Sequence, residues 1–135
     1  MKALIIGSSF NLNKISESLI DKIDDLVFLD YEHSEFSHLD SSDREKVTFH
    51  YGDMKEMDTL ISAGLEGSNI VIIDAQQDIE SLFVAQKCNI NLSSNIFIVL
   101  NDASISNIFE DLGFVILDSN NLKLDKIIDY IEKFE

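Results

Sequence analysis

Apolar residues along this chain change their period repeatedly, from short dense runs to spaced stripes. Lys2 to Ile6 reads as a short strand, and Gly7 ends it. Leu12, Ile15, Leu19 and Ile23 then recur at helical spacing, which predicts a helix. Leu26 to Leu29 reads as the second strand, closed by Asp30. Glu32 to Leu39 is less regular and reads as a short helix, with Val47 to Phe49 as the third strand. Asp53 is placed to cap the next helix with Glu56 as its box partner, and Met54, Met57, Leu60 and Ile61 form that helix's inner stripe. Gly64 and Gly67 stop it. Ile70 to Ile73 is dense, β-branched and without alternation, as a strand buried on both faces requires. Ile79, Leu82, Phe83 and Gln86 then follow a long helix. Asn95 to Leu100 is the fifth strand, Ile105 to Leu112 a helix, and Phe114 to Leu117 the sixth strand. Leu124, Ile127, Ile128, Ile131 and Phe134 line a terminal helix.

Strands alternating with helices favour right-handed crossovers and a central parallel sheet. The expected fold is α/β: Rossmann-like and doubly wound, six strands in the order 3-2-1-4-5-6, helices on both faces. A flavodoxin-like order is the alternative, because periodicity does not fix strand order. The chain has 135 residues, no proline and no internal repeat, so residues 1–135 are expected to form one domain.

Composition narrows the classes. At 45% hydrophobic residues the chain is too apolar for disorder. No apolar run approaches the roughly 18 residues of a spanning helix, and the first strand is too short for a secretory signal. A cytoplasmic location is the resulting expectation. Cys88 is the single cysteine, which excludes an internal disulfide and reads most simply as a small core residue. The formal charge is -15, with 25 acidic residues against 10 Lys plus Arg. That repels nucleic acid and anionic membrane. It also raises the cost of a phosphorylated ligand unless backbone N–H groups offset it.

In a doubly wound sheet the ligand crevice lies where the strand order reverses. The loop after the first strand reads Gly7-Ser8-Ser9-Phe10-Asn11-Leu12. A dinucleotide fingerprint needs glycines at its first, third and sixth positions. Only Gly7 meets this; Ser9 and Leu12 replace the others, and Leu12 predicts a displaced helix or a widened loop. The alternative is a strand-to-helix turn that binds nothing. Asp30, 23 residues after Gly7, has the position of a ribose-binding acid and equally that of a turn aspartate. Gly52-Asp53 and Asp74-Ala75-Gln76 end the third and fourth strands, and Asn101 and Asp102 end the fifth. Each of these is also credible as a helix cap.

These pieces together resemble the N-terminal nucleotide-binding domain of the TrkA and RCK family. Lys2-Ala3-Leu4-Ile5-Ile6-Gly7 is similar to its first strand and turn, Asp30 to its ribose-binding acid, and Tyr51-Gly52-Asp53 to its glycine–aspartate loop. Met57 to Ala63 with Gly64-Leu65, then Asp78-Ile79-Glu80 and Val84-Ala85, are similar to the helices that follow. Leu100-Asn101-Asp102 departs from a position where the family often carries a basic residue. The resemblance implies a domain that binds NAD(H), ATP or ADP and regulates potassium uptake systems and channels. The implied contacts are Gly7, Ser8, Ser9, Phe10, Asn11, Asp30, Tyr31, Gly52, Asp53, Asp74, Ala75 and Gln76. It further implies a homodimer and a separate membrane ion-transport subunit, since no channel segment or second domain is expected in this length.

Catalysis has little support in the residues. A dehydrogenase needs a substrate domain and a positioned acid or base, and the cofactor domain alone nearly exhausts this length. His33, His38 and His50 lack a nucleophile–base–acid arrangement and read as surface or rim residues. No HExxH and no cysteine pair supports a transition metal. Asp30, Asp53 and Asp74 beyond strands leave a receiver-like phosphoacceptor as a minor alternative, although no acidic pair follows the first strand. The expectation is a non-catalytic regulatory domain. Its rival is a degenerate interaction or scaffold domain that binds no nucleotide and holds no cofactor.

Overall fold

The structure is a computed structural model and describes residues 1–7, 10–30, 44–75, 77–89 and 95–134. The helix expected over Glu32 to Leu39 lies outside them, as do Ser8, Ser9, Tyr31 and Gln76. The strands are β1 (Lys2–Gly7), β2 (Asp25–Asp30), β3 (Val47–Tyr51), β4 (Ile70–Asp74), β5 (Asn95–Leu100) and β6 (Val115–Asp118). The helices are α1 (Phe10–Leu19), α2 (Met57–Ser62), α3 (Asp78–Asn89), α4 (Ser106–Glu110) and α5 (Asp125–Phe134).

All neighbouring strand pairs are parallel, and the order is β3-β2-β1-β4-β5-β6. This is the doubly wound order, so the flavodoxin-like alternative is set aside, and the receiver-like reading loses the scaffold it needs. Every residue of β4 is buried, which accounts for its unbroken Ile-Val-Ile-Ile run. In the central strands the pleat sends alternate side chains to opposite faces. Ala3, Ile5, Phe28 and Ile72 meet Leu12, Ile15 and Leu19 of α1 and Ile127 and Ile131 of α5. Leu4, Ile6, Val71 and Ile73 meet Leu60 of α2 and Val84, Ala85 and Cys88 of α3 on the other face. Ile105 and Phe109, at α4, pack against that second core.

Three local expectations change. α2 begins at Met57 with Glu56 at its cap position, so Asp53 does not cap it. Asp53 instead accepts the Lys55 N–H at 3.0 Å, a local turn that competes with helix initiation. Ile61 is exposed rather than part of the inner stripe. On α3 the buried face is Ser81, Val84, Ala85 and Cys88, while Ile79 and Phe83 face solvent. Small residues let α3 approach the sheet closely. Because large apolar residues lie on its outer side, periodicity alone selects the wrong face.

Candidate functional site

The reversal of strand order falls between β1 and β4. Their registers align the strand ends in one row. Tyr51 pairs with Asp30 across β3 and β2, Ile6 pairs with Leu29 one residue before Gly7 and Asp30, and Gly7 pairs with Asp74 across β1 and β4. The row Tyr51, Asp30, Gly7, Asp74 thus lines the carboxyl ends of four adjacent strands, where a doubly wound sheet binds its ligands.

Gly7 is fixed by backbone geometry. Its φ is +115°, and a Cβ there would lie 1.9 Å from the carbonyl oxygen of Asp74. It would also lie 3.1 Å from Leu12 Cδ1, and Leu12 itself is fully buried. So Leu12 is taken into the core, packing α1 against the end of β1. The first turn of α1 contains no acidic residue, although the chain is strongly acidic, whereas those of α2, α3 and α5 do. An acid-free N-terminus leaves backbone N–H groups and the positive end of the helix dipole for an anion. Asn11 is half-buried in this turn, and the buried Oδ1 of Asn13, one residue beyond Leu12, has no hydrogen-bond partner among the described residues.

Asp30 is 7% exposed. Its carbonyl accepts the Gly52 N–H at 3.1 Å, which locks the loop after β3 against the end of β2. Asp74 is buried at 3% exposure. At the β3 end of the row, His50 and Tyr51 line a shallow cavity of about 220 Å³ with Asp58, Thr59 and Ser62 of α2.

The far side of the crevice is held by residues that periodicity did not single out as structural. The buried Ser81 hydroxyl accepts the Ala75 N–H at 2.9 Å, folding the loop after β4 back onto α3. Asp78, at the start of α3, accepts the N–H groups of Asn101 and Asp102 at 2.7 and 2.9 Å. One carboxylate therefore ties the loop after β4 to the loop after β5. Asp102 caps the short 3-10 turn Ala103–Ile105, accepting from the Ser104 N–H. Hydrogen bonds from the Ser104 hydroxyl and N–H hold the Asp102 carboxyl below its ordinary value. Ser81 had one faint sequence signal, a small polar residue within an otherwise apolar helix face. Asn13 had none.

Among the described residues there is no group of His, Cys, Asp and Glu placed to hold a metal ion. None of the described helices is long and apolar enough to cross a membrane.

A parallel sheet in this order, with the reversal between β1 and β4, defines a Rossmann-like doubly wound α/β domain. The chain belongs to the TrkA-N domain family, whose profile matches residues 3–119. No curated protein matches the chain. Solved structures share its fold at low identity. A Kef CTD of Shewanella denitrificans in AMP-bound form superposes with a TM-score of 0.72 at 17% identity, covering 96% of this chain and 77% of that one. The TrkA-N domain of the inner membrane protein ybaL from Escherichia coli gives 0.69 at 16%, covering 98% and 95%. The GsuK channel bound to NAD gives 0.68 at 14%, covering 85% of this chain. The chain spans only 21% of the GsuK channel's length.

Proposed function

We propose that this domain is a non-catalytic regulatory module that binds an adenine nucleotide, NAD(H), ATP, ADP or AMP, in the β1–β4 crevice. The observation that carries the reading is Asp30. It is a carboxylate at the end of β2, 7% exposed, in the row of strand ends beside the β1–β4 reversal. A ribose diol supplies two donors to a carboxylate at that position. The acid-free first turn of α1 is suited to the phosphates, approached through backbone N–H groups. Gly7, Ser8, Ser9, Phe10 and Asn11 are then the phosphate side. Asp30, Tyr31, Gly52 and Asp53 are the ribose and adenine side, and Asp74, Ala75 and Gln76 the far rim. Of the proteins that share the fold, the GsuK channel is bound to NAD and the Kef CTD to AMP, which supports this ligand class.

Regulation follows if the ligand binds two arrangements of the domain with different affinity. Family membership supports potassium transport as the regulated process, exerted on a separate membrane ion-transport subunit from the cytoplasmic side. The resemblance also implies a homodimer. Two chains of -15 repel at low ionic strength, so that dimer is expected to strengthen as salt screens them. Sedimentation velocity across a salt series tests it. Residues 1–135 act as one domain in this reading. Titration calorimetry with NAD, NADH, ATP, ADP and AMP, with Asp30→Ala as the comparison, tests the ligand claim.

The rival reading is a degenerate domain that keeps the fold for protein contacts alone. The specific observation favouring it is Leu12, whose side chain fills the space beside Gly7 that a third fingerprint glycine leaves open.

A further inference from the structure

β6 is the last strand of the sheet, so one of its edges has no partner strand. α4 and α5 flank that edge from opposite faces. Ile105 and Phe109, at α4, pack against one core, and Ile127 and Ile131 of α5 belong to the other. A cavity of about 340 Å³ lies at this edge. Ala103 and the buried Ile116 and Leu117 give it an apolar floor. Its rim is polar and charged. Ser106 and Glu110 come from α4, Asp118 from the end of β6, and Lys123 and Lys126 from the start of α5 and the turn before it.

The backbone of the edge is already used. Lys126 Nζ donates to the Ile116 carbonyl at 3.2 Å, and the Asn121 N–H donates to the Asp118 carbonyl at 3.2 Å. An added strand would need those carbonyls, so the edge is closed to an extended peptide. The charges are not used in this way. Glu110, Asp118, Lys123 and Lys126 form no ion pair among the described residues, although both signs line one space. A simple anion would meet two carboxylates in a chain of charge -15, and a simple cation would meet two ammonium groups. A small molecule with one ammonium and one carboxylate satisfies both signs, and being neutral overall it is not repelled by the net charge. The volume is at the lower end for a ligand site, and the floor suits a short aliphatic side chain. Asp118 is held in place beforehand. Its Oδ1 accepts the Asn120 N–H at 2.9 Å, and Asn120 Nδ2 donates to the Asn101 carbonyl at 3.2 Å. The Ser119 N–H donates to the Leu100 carbonyl at 3.0 Å, which fixes the same turn. A turn fixed in this way loses little entropy on binding.

We propose that the cavity at the β6 edge binds a free α-amino acid with a short aliphatic side chain. Its carboxylate faces Lys123 and Lys126, and its ammonium faces Glu110 and Asp118. The site is separate from the β1–β4 crevice and independent of whether the crevice holds a nucleotide.

The test titrates the ¹⁵N-labelled full chain with valine and follows amide chemical shifts. Saturable shifts are expected at Ala103, Ser106, Asp118 and Asn121, half-complete at about 1 mM or below. N-acetylvaline lacks the ammonium and valinamide lacks the carboxylate, and each is expected to bind at least about tenfold more weakly. Glu110 and Lys123 are exposed and outside both cores, so Glu110→Gln and Lys123→Gln should melt like the parent. Each is expected to weaken valine about tenfold. No saturable shift up to about 10 mM valine overturns the proposal. So does equal binding of either blocked valine, or full binding by both variants. Inorganic phosphate moving the same amides as strongly would make this a plain anion site and also overturn it. AMP displacing valine would place the amino acid in the crevice, with the same consequence. Valine binding to a chain that binds no nucleotide supports this site and sinks the crevice reading alone.

Discussion

The carbonyl oxygen of Asp74 occupies the space a side chain on Gly7 would need, 1.9 Å from an ideal Cβ. The φ of +115° adds a conformational cost for any residue with a side chain. Gly7→Ala is therefore expected to destabilise the domain by about 3 kcal/mol or more, from overpacking plus left-handed strain. A smaller loss of unfolding free energy in urea denaturation would show that β4 relaxes more than the packing suggests. The close approach holds β1 to β4 whether or not a ligand binds, so Gly7 alone does not argue for nucleotide.

Ser81→Ala removes the acceptor of the half-buried Ala75 N–H. Losing the partner of a half-buried donor costs about 1 kcal/mol. The variant should melt lower, and the Ala75 amide should exchange faster with solvent. A variant with unchanged exchange at that amide would show that the hydroxyl does not hold the loop after β4.

Asp78→Ala should act differently, because its two bonds to Asn101 and Asp102 are exposed and water can replace the carboxylate. Global stability is expected to fall by no more than about 1 kcal/mol. Amide exchange at Asn101 and Asp102 should nonetheless accelerate, since the loop after β5 loses its tie to α3. A large drop in melting temperature without local acceleration would contradict this division.

Cys88 is fully buried, and burial pushes its thiol up to about 12 from an ordinary value of 9.0. The folded chain keeps the proton that the unfolded chain releases. This contribution to stability is therefore full below about pH 9 and is lost as pH rises toward 12. Comparing Cys88→Ala with the parent chain from pH 8 upward should show the parent losing stability more steeply. Thiol reagents at pH 8 should label Cys88 only at the rate of unfolding.

The sheet was legible because each strand is a short apolar run ended by a turn residue, with a helical stripe behind it. Ile70 to Ile73 declared a central strand through composition alone. The outer helices were less legible. α3 carries Ile79 and Phe83 outside and Ala85 and Cys88 inside, so hydrophobicity pointed to the wrong face. Asp53 fitted a capping spacing, yet its bond to Lys55 closes a turn that delays the helix to Met57. At the site, Asp30 and Gly7 could be found from spacing. The Asp78 and Ser81 ties could not, since they join residues brought together only by the β4 and β5 crossovers.

The account turns on whether the crevice beside Asp30 holds an adenine nucleotide, and titration calorimetry on the purified chain measures that directly. Micromolar binding of at least one of NAD, NADH, ATP, ADP or AMP is expected, lost in an Asp30→Ala variant that melts like the parent. A folded parent chain that binds none of them, or an Asp30→Ala variant that binds equally well, would contradict it.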